Sequence, residues 1–473
     1  MQVRPLPGHG PGDAYPRALR WRRRRYRLAA RRPLSRRSPC STDGEEKLVR
    51  PCKFVRITSA LAVAALVVGA TSGCGSKSSN TLKVGDIVPL TGDLAPFGPS
   101  GEKAARLAVN QANAALKQDG IKLTVKLENA DEQTNSAASV SAARKLISEG
   151  ATCIAGAWAS SDTIPVSQSV TSRERIPQIS PASTSALIST LNNGYIFRTS
   201  PSDKLQGKTL AGYVDKAIGG VRGKLISIAG RNDAYGQGFV ARLKEVLTEL
   251  GAKVQGPLLY DPAAASYDSE AAKIVANNPA AFIIIDFPKT YAKVGPALLR
   301  TGAFSPAKLF ISDGLAVSKI AGSGMVPASL NGAHGTNPSS PPGGTLALSA
   351  AAERAFNTLY TSSPGPPRET FDVQNFDAVT LCILAAVAAK SNSGPAIAKE
   401  IIPVSGSPGT KYTWQQEAAM FAAAHAGQKV NYEGVSGPID MASNGDPTGA
   451  TYAIYTYTNG KLVVLRKVFA TAG

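Results

Sequence analysis

The chain has 473 residues, with 52 Lys and Arg against 33 Asp and Glu, a formal charge of +19, three His and five Cys. The charge is lopsided: residues 1–74 hold 14 Arg, 2 Lys and 4 acids, which leaves +7 for the remainder, an ordinary value for a domain of that size. With no CxxC, no HExxH and no His cluster, neither a metal site nor a cofactor is expected.

Residues 1–48 are rich in Arg, with a run at Arg22-Arg23-Arg24-Arg25, and lack hydrophobic periodicity, so they read as a disordered leader. A basic arm can bind nucleic acid, but this one precedes an export signal, so no nucleic-acid partner is expected. A start site assigned too far upstream is favoured, with translation beginning near Val49 or Val55. Within 49–73, Arg50, Lys53 and Arg56 lead into the apolar run Ile57–Ala70 and then Thr71-Ser72-Gly73, the order of a secretory signal peptide. That run is shorter than the roughly 20 apolar residues a membrane span needs. Cys74 follows directly, which resembles a bacterial lipoprotein signal and implies lipidation of Cys74, with 74–80 as a flexible tether. Thr71 stands where the usual lipobox has an aliphatic residue.

From Thr81 the pattern alternates strand and helix. Strands are expected at Leu82–Val88, Ile121–Leu127, Cys153–Ala155 and Pro177–Ser180. The intervening helices start at Ser100 as N-cap, span Ser136–Glu149 with Val140, Ala143 and Ile147 inward, and span Asp162–Ser172. A second series has a helix at Lys204–Ile218, a strand at Leu225–Ala229, and a helix ending at Leu250-Gly251. The run Phe282–Ile285, apolar throughout, suits a strand buried on both faces. A helix at Thr290–Thr301 and a strand at Leu309–Ile311 follow. Repeated βα units imply parallel sheets covered by helices, here two doubly wound lobes. Asn337–Thr345 reads as a linker, Ala350–Tyr360 and Asp372–Lys390 as helices, Lys399–Thr410 as loop and Thr413–Ala426 as helix. The chain closes with strands at Thr451–Thr458 and Leu462–Phe469 around an Asn459-Gly460 hairpin turn. Cys153, in a short apolar strand, and Cys382, in an apolar helix, read as two buried core residues rather than a bonded pair.

Ligands of open parallel sheets bind beyond the carboxyl ends of the strands. That rule selects the loops Leu90–Gly98, Gly156–Ser161, Pro181–Ser185, Arg231–Gly236, Asp286–Lys289 and Ser312–Gly314. The first lobe contributes Phe97, the hydroxyls of Ser160, Ser161, Ser183 and Thr184, and helix N-termini suited to a carboxylate. The second contributes Tyr235, Phe287 and the acid Asp313. Singly, each has a duller role open to it: Ser160 and Thr184 as caps, Asp313 as a turn residue. Together, an anion cradle facing a carboxylate and aromatic rings fits an α-amino acid.

The same stretches carry a resemblance. Val84-Gly85-Asp86-Ile87-Val88-Pro89-Leu90-Thr91-Gly92, Ile179-Ser180-Pro181-Ala182-Ser183-Thr184, Tyr195-Ile196-Phe197-Arg198-Thr199, Tyr235-Gly236 and Asn375-Phe376-Asp377-Ala378 occur in the order and spacing of the leucine/isoleucine/valine-binding type of periplasmic solute-binding protein. The resemblance implies the type I periplasmic-binding fold, with three hinge crossings between lobes that close on the ligand. It places 81–200 and 339–443 in the first lobe, and 201–338 and 444–473 in the second. It assigns the ligand carboxylate to Ser160, shared α-amino and carboxylate contacts to Ala182, Ser183 and Thr184, an aromatic lid to Phe97, a second-lobe tyrosine to Tyr235 and the ammonium partner to Asp313. Phe376 replaces the family's Tyr beside the side-chain pocket, Phe287-Pro288 replaces a more polar loop, Trp158 is bulky beside the cleft, and the first-lobe disulfide of some members has no cysteine pair here.

The expected function is therefore that of a non-enzymatic receptor that delivers an amino acid or similar zwitterion to an ABC permease. It would be a lipid-anchored monomer at the outer face of a bacterial cell membrane. Two other readings stay open. A sensor of the same fold would need a partner chain for output. An exported hydrolase would need a Gly-x-Ser-x-Gly elbow, which the sequence lacks.

Overall fold

The computed structural model describes residues 80–191, 193–318 and 327–471. The Arg-rich leader, the signal segment and Cys74 lie outside the described residues. Two parallel-based sheets organise the rest. The first has five strands, β1 (Thr81–Val88), β2 (Thr124–Asp131), β3 (Cys153–Ala155), β4 (Gln178–Ser180) and β5 (Ile196–Arg198), in the spatial order β2-β1-β3-β4-β5. All its pairings are parallel, with Thr81 opposite Thr124 and Val84 opposite Cys153.

The second sheet begins with β6 (Leu225–Arg231), β7 (Lys253–Tyr260), β8 (Ala281–Ile285), β9 (Leu309–Ile311) and β10 (His334–Ser339). A small two-stranded sheet, β11 (Thr410–Tyr412) with β12 (Val430–Tyr432), intervenes. The hairpin β13 (Gly449–Thr458) and β14 (Lys461–Thr471) then completes the order β14-β13-β10-β9-β8-β6-β7. Only the pairings of β13 in this sheet are antiparallel. Ile283, Ile284 and Ile285 of β8 are fully buried, as a strand covered on both faces requires. Asn459 and Gly460 both have positive φ (51° and 74°), the conformation of the tight hairpin turn.

The chain leaves the first sheet after β5 (Ile196–Arg198) for the second, leaves the second after β10 (His334–Ser339) and re-enters it at β13 (Gly449–Thr458), three passages in all. Buried Arg198, at the end of β5, ties the first of these passages to the segment that leads into β13. Its Nε lies 2.6 Å from Asp446 Oδ1, and its Nη1 donates to the carbonyls of Ser183 (3.2 Å) and Ser185 (3.0 Å).

The helix Asp372–Ala389 is the centre of the first lobe. Its composition would allow it to cross a membrane, but 89% of it is buried against neighbours that include the helix Gly98–Gln118. Its apolar residues face several sides because it is enclosed by its neighbours. Cys382 on this helix is bonded to Cys153 of β3, with Cα atoms 5.9 Å apart. Both are buried core residues, but the expectation that they are unbonded is overturned. They are 229 positions apart, and only the packing of that helix across β3 brings them together.

Other differences have local causes. The first helix starts at Gly98 with Pro99 in its first turn; the Ser100 hydroxyl donates to Phe97 O (2.9 Å) instead of capping. The second strand runs from Thr124 to Asp131, later than its apolar alternation suggests, because pairing with β1 sets its register. On the helix Ser136–Ser148 the buried face is Ser139, Ala142, Ala143 and Leu146, with Val140 and Ile147 at its margin. The loop expected at Lys399–Thr410 is in part the helix Gly394–Val404, which Pro395 initiates from within its first turn. The linker expected at Asn337–Thr345 begins as the end of β10. The strand Lys253–Tyr260 and the helix Asp268–Val275 had no counterpart in the sequence reading.

Candidate functional site

The strands of both sheets carry their carboxyl-end loops to one cleft between the lobes. There a cavity of about 10 Å³, room for roughly one water molecule, is enclosed by side chains from both. The first lobe supplies Leu94, Phe97, Trp158, Ser160, Ala182 and Phe371; the second supplies Tyr235, Phe287, Asp313 and Gly314. Six of the ten residues nominated from sequence therefore surround one space: Phe97, Ser160, Ala182, Tyr235, Phe287 and Asp313.

Four do not line it. Ser161 directs its hydroxyl to Asp162 (3.3 Å). Ser183 donates its hydroxyl to Trp158 O (2.8 Å) and its N–H to Ser180 Oγ (3.0 Å), so it braces the loop behind the cleft. Thr184 is buried, and its carbonyl accepts the Asp203 N–H (2.8 Å). Phe376 is a core residue, packed edge-on against Phe356 (4.9 Å) and Trp414 (5.9 Å) in the first-lobe interior.

Ser160 opens the helix Ser160–Val166, which runs on through a π-helical turn to Glu174. Its hydroxyl accepts the Ser185 N–H (3.2 Å), which locks the loop after β4 to the loop after β3. The latter loop is also held from below. Fully buried Glu132, just past β2, accepts the N–H of Trp158 (2.6 Å) and of Ala159 (3.2 Å). Burial, then the nearby charge of Asp162, pushes the Glu132 carboxyl well up; burial pushes Asp162 up to about 7.

On the second lobe, Asp233 caps the helix Ala234–Glu249 by accepting from the N–H of Tyr235 (3.1 Å) and Gly236 (3.0 Å). Tyr235 stands in that first turn and its ring stacks on Phe287, with centroids 5.1 Å apart and planes 13° from parallel. The Tyr235 hydroxyl donates to Asp313 Oδ1 (3.0 Å) and lies 2.6 Å from Ser312 Oγ. Gln206 Nε2 also donates to Asp313 Oδ1 (2.9 Å). Asp313 is 2% exposed. Burial raises its carboxyl to about 6 even though Tyr235 and Gln206 donate to it. Neighbouring Asp203, fully buried, is held well up by burial and then by the charge of Asp313.

Direct bonds also cross the cleft mouth. Arg231, at the end of β6, reaches Asp93 in the loop after β1 (3.3 Å), and Thr290 Oγ1 donates to the same carboxylate oxygen (3.0 Å). The Ser185 hydroxyl donates to Ala234 O (2.9 Å). Sequence reasoning missed Arg231–Asp93, Glu132 and Phe371. The first two sit in nominated loops or beside them, but no motif marks their pairing. Phe371 precedes a helix with left-handed backbone (φ 72°), a conformation that a bulky aromatic gives no sign of adopting. A wider surface pocket of about 520 Å³ includes Asn80, Lys122, Lys390 and His425. It lies at the amino ends of β1 and β2, remote from the cleft. Among the described residues no group of three or more His, Cys, Asp or Glu is placed to hold a metal.

Two doubly wound lobes, three crossings and a closed polar-and-aromatic cleft define a hinged binding protein of the type I periplasmic-binding fold. The chain belongs to the periplasmic binding protein family, whose model matches residues 81–461. It is similar to a Leu/Ile/Val-binding protein homolog of Brucella melitensis, 24% identical over 410 residues that cover 85% of this chain and 98% of the relative. Its fold is that of the branched-chain amino acid transporter substrate binding protein LivJ of Streptococcus pneumoniae, solved with isoleucine (TM-score 0.65, 18% identity, 82% of this chain and 99% of that one). A Rhodopseudomonas palustris solute binding protein solved with benzoate shares the fold too (TM-score 0.61, 20% identity, 83% and 98%). The resemblance to the leucine/isoleucine/valine-binding type is thereby borne out.

Proposed function

We propose that this protein is the extracytoplasmic receptor of an ABC importer, which closes on an amino acid or similar small zwitterion and presents it to a membrane permease. The observation that carries the reading is the electrostatics of the cleft. Of the residues that line the cavity only Asp313 is charged, and its two side-chain donors, Gln206 and Tyr235, are both neutral. A buried acid with neutral donors alone favours a cation, and a ligand ammonium supplies one by a charge-assisted hydrogen bond. The Ser160 hydroxyl and the start of the helical run behind it offer the complementary end for a carboxylate.

The Cys153–Cys382 bridge supports export, since such bonds persist in oxidising compartments. Anchoring through Cys74, action as a monomer and a lobe division at 81–200 with 339–443 against 201–338 with 444–473 complete the proposal. Calorimetric titration with single amino acids tests it: binding by wild type and its loss in Asp313→Ala is the expected pair. Equal affinity in both would remove Asp313 from the site.

A further inference from the structure

The cleft walls carry more aromatic surface than recognition of a zwitterion's backbone groups requires. On the first-lobe side, Phe371 meets Trp158 edge-on (centroids 6.2 Å apart, planes at 84°) and Phe97 edge-on (6.4 Å, 65°). On the second-lobe side, Tyr235 and Phe287 form a parallel stack, and Arg231 covers Phe287, its guanidinium 3.8 Å from the ring centroid. That contact is a cation–π interaction on the Phe287 face. These five rings all border the same cavity. The cleft is thus bordered by aromatic rings from both lobes, a lining that suits an aromatic ligand better than a branched aliphatic chain.

A second observation is independent of ring count. Trp158 is 1% exposed, and its indole N–H has no acceptor among the described residues. A buried unmet donor is destabilising, and buried indoles usually find a partner. The ring is also fixed in place: a Cβ on Gly101 would fall 2.3 Å from Trp158 Cζ2, so the glycine keeps the space the indole occupies. The unmet donor therefore belongs to a ring that is fixed in place and borders the cavity.

We infer that the ligand carries an aromatic ring, an aromatic amino acid in particular, held between the Phe97–Trp158–Phe371 wall and the Tyr235–Phe287 stack, with the Trp158 indole N–H donating to a ligand oxygen. The amino-acid part of this inference rests on the function proposed above; the ring slot does not.

Calorimetry on the wild-type protein separates the two. The panel is L-phenylalanine, L-tyrosine, L-leucine, L-isoleucine, L-valine and 4-hydroxybenzoate. Tighter binding of an aromatic amino acid than of any aliphatic one, by about tenfold or more, is the expected result. An aliphatic amino acid that binds as tightly or more tightly overturns the inference and leaves the zwitterion reading intact. Binding of 4-hydroxybenzoate with no amino acid upholds the slot and overturns the zwitterion reading. No binding by any ring compound overturns the slot. In Trp158→Phe, which keeps a ring but removes the donor, affinity for the aromatic ligand should fall about tenfold with the far-ultraviolet dichroism unchanged; unaltered affinity would overturn the role of the indole N–H.

Discussion

Arg231 and Asp93 meet across the mouth of the cleft, Nη2 to Oδ2, at 3.3 Å. The Arg231 side chain is 5% exposed, and the same guanidinium covers Phe287 and pairs with Asp233. One cation thus links the ligand wall to the closure contact: when the lobes part, Arg231 loses Asp93 but keeps Asp233. Asp93→Ala should therefore favour the open form at little cost to folding, about 1 kcal/mol or less. Ligand dissociation should accelerate by roughly three- to tenfold, since contacts made only on closure act mainly on the off-rate. Small-angle scattering of the ligand-free variant should give a larger radius of gyration than wild type. Identical scattering and identical off-rates would show that Arg231–Asp93 does not hold the lobes together.

Asp313 should weaken the free protein at neutral pH. Its carboxyl ionises near 3.8 in an unfolded chain and at about 6 in the fold, with burial as the main cause. Between those values the native state binds more protons than the unfolded one, so this residue's contribution to stability falls as pH rises through that window. Above about pH 6 the buried charge costs on the order of 3 kcal/mol at most. Asp313→Asn should melt higher than wild type at pH 7.5, and the gap should close toward pH 4. The same variant should lose roughly 10- to 100-fold in affinity for a zwitterion, the range for a charge-assisted bond. In wild type the ligand ammonium competes with a proton, so affinity should drop below pH 6. A variant less stable than wild type at pH 7.5, or an affinity flat from pH 5 to 7.5, would contradict this account.

The disulfide lends itself to a stability test. Cys153–Cys382 closes a separation of 229 residues and joins a central strand to the enclosed helix of the first lobe. Removal of a native bridge commonly costs about 2–5 kcal/mol, so Cys153→Ala with Cys382→Ala should lower the melting temperature markedly. Neither cysteine borders the cavity, so ligand affinity should stay within about threefold at a temperature where both forms are folded, a shift no larger than the usual coupling of distant sites. A melting temperature equal to wild type would mean the packing of Asp372–Ala389 alone holds β3.

What the sequence disclosed follows the range of the forces involved. Cys153–Ala155 and Leu309–Ile311 were read with their observed bounds, because short apolar runs between turns have few alternatives. The Asn459-Gly460 turn was equally clear, since both residues take positive φ readily. Register was less visible: the apolar alternation Ile121–Leu127 ends before the polar part of the strand, Glu128–Asp131, which pairs with β1 and heads toward the cleft. The helix Gly394–Val404 carries Pro403 near its end, inside the stretch Lys399–Thr410 that reads as loop. In the site, residues at strand ends could be nominated one by one. Pairings between distant loops, Arg231 with Asp93 or Glu132 with Trp158, depend on lobe packing, and no local pattern encodes them.

Glu132 is the support on which the first-lobe wall rests, although it does not border the cavity. It is fully buried, and its two carboxyl oxygens each accept one backbone N–H, from Trp158 at 2.6 Å and from Ala159 at 3.2 Å. Those residues lead directly to Ser160. Glu132→Ala would orphan both N–H groups at a cost of about 1–3 kcal/mol each and free the loop that positions the indole and the hydroxyl. Glu132→Gln keeps one side-chain oxygen as an acceptor in a side chain of the same shape. The alanine variant should bind ligand at least about tenfold more weakly, the fold-change that one hydrogen bond's free energy corresponds to; the glutamine variant should fall between it and wild type. Melting curves would separate this positioning effect from simple loss of fold. Native affinity in a folded Glu132→Ala protein would mean that the loop holds its shape without this carboxyl.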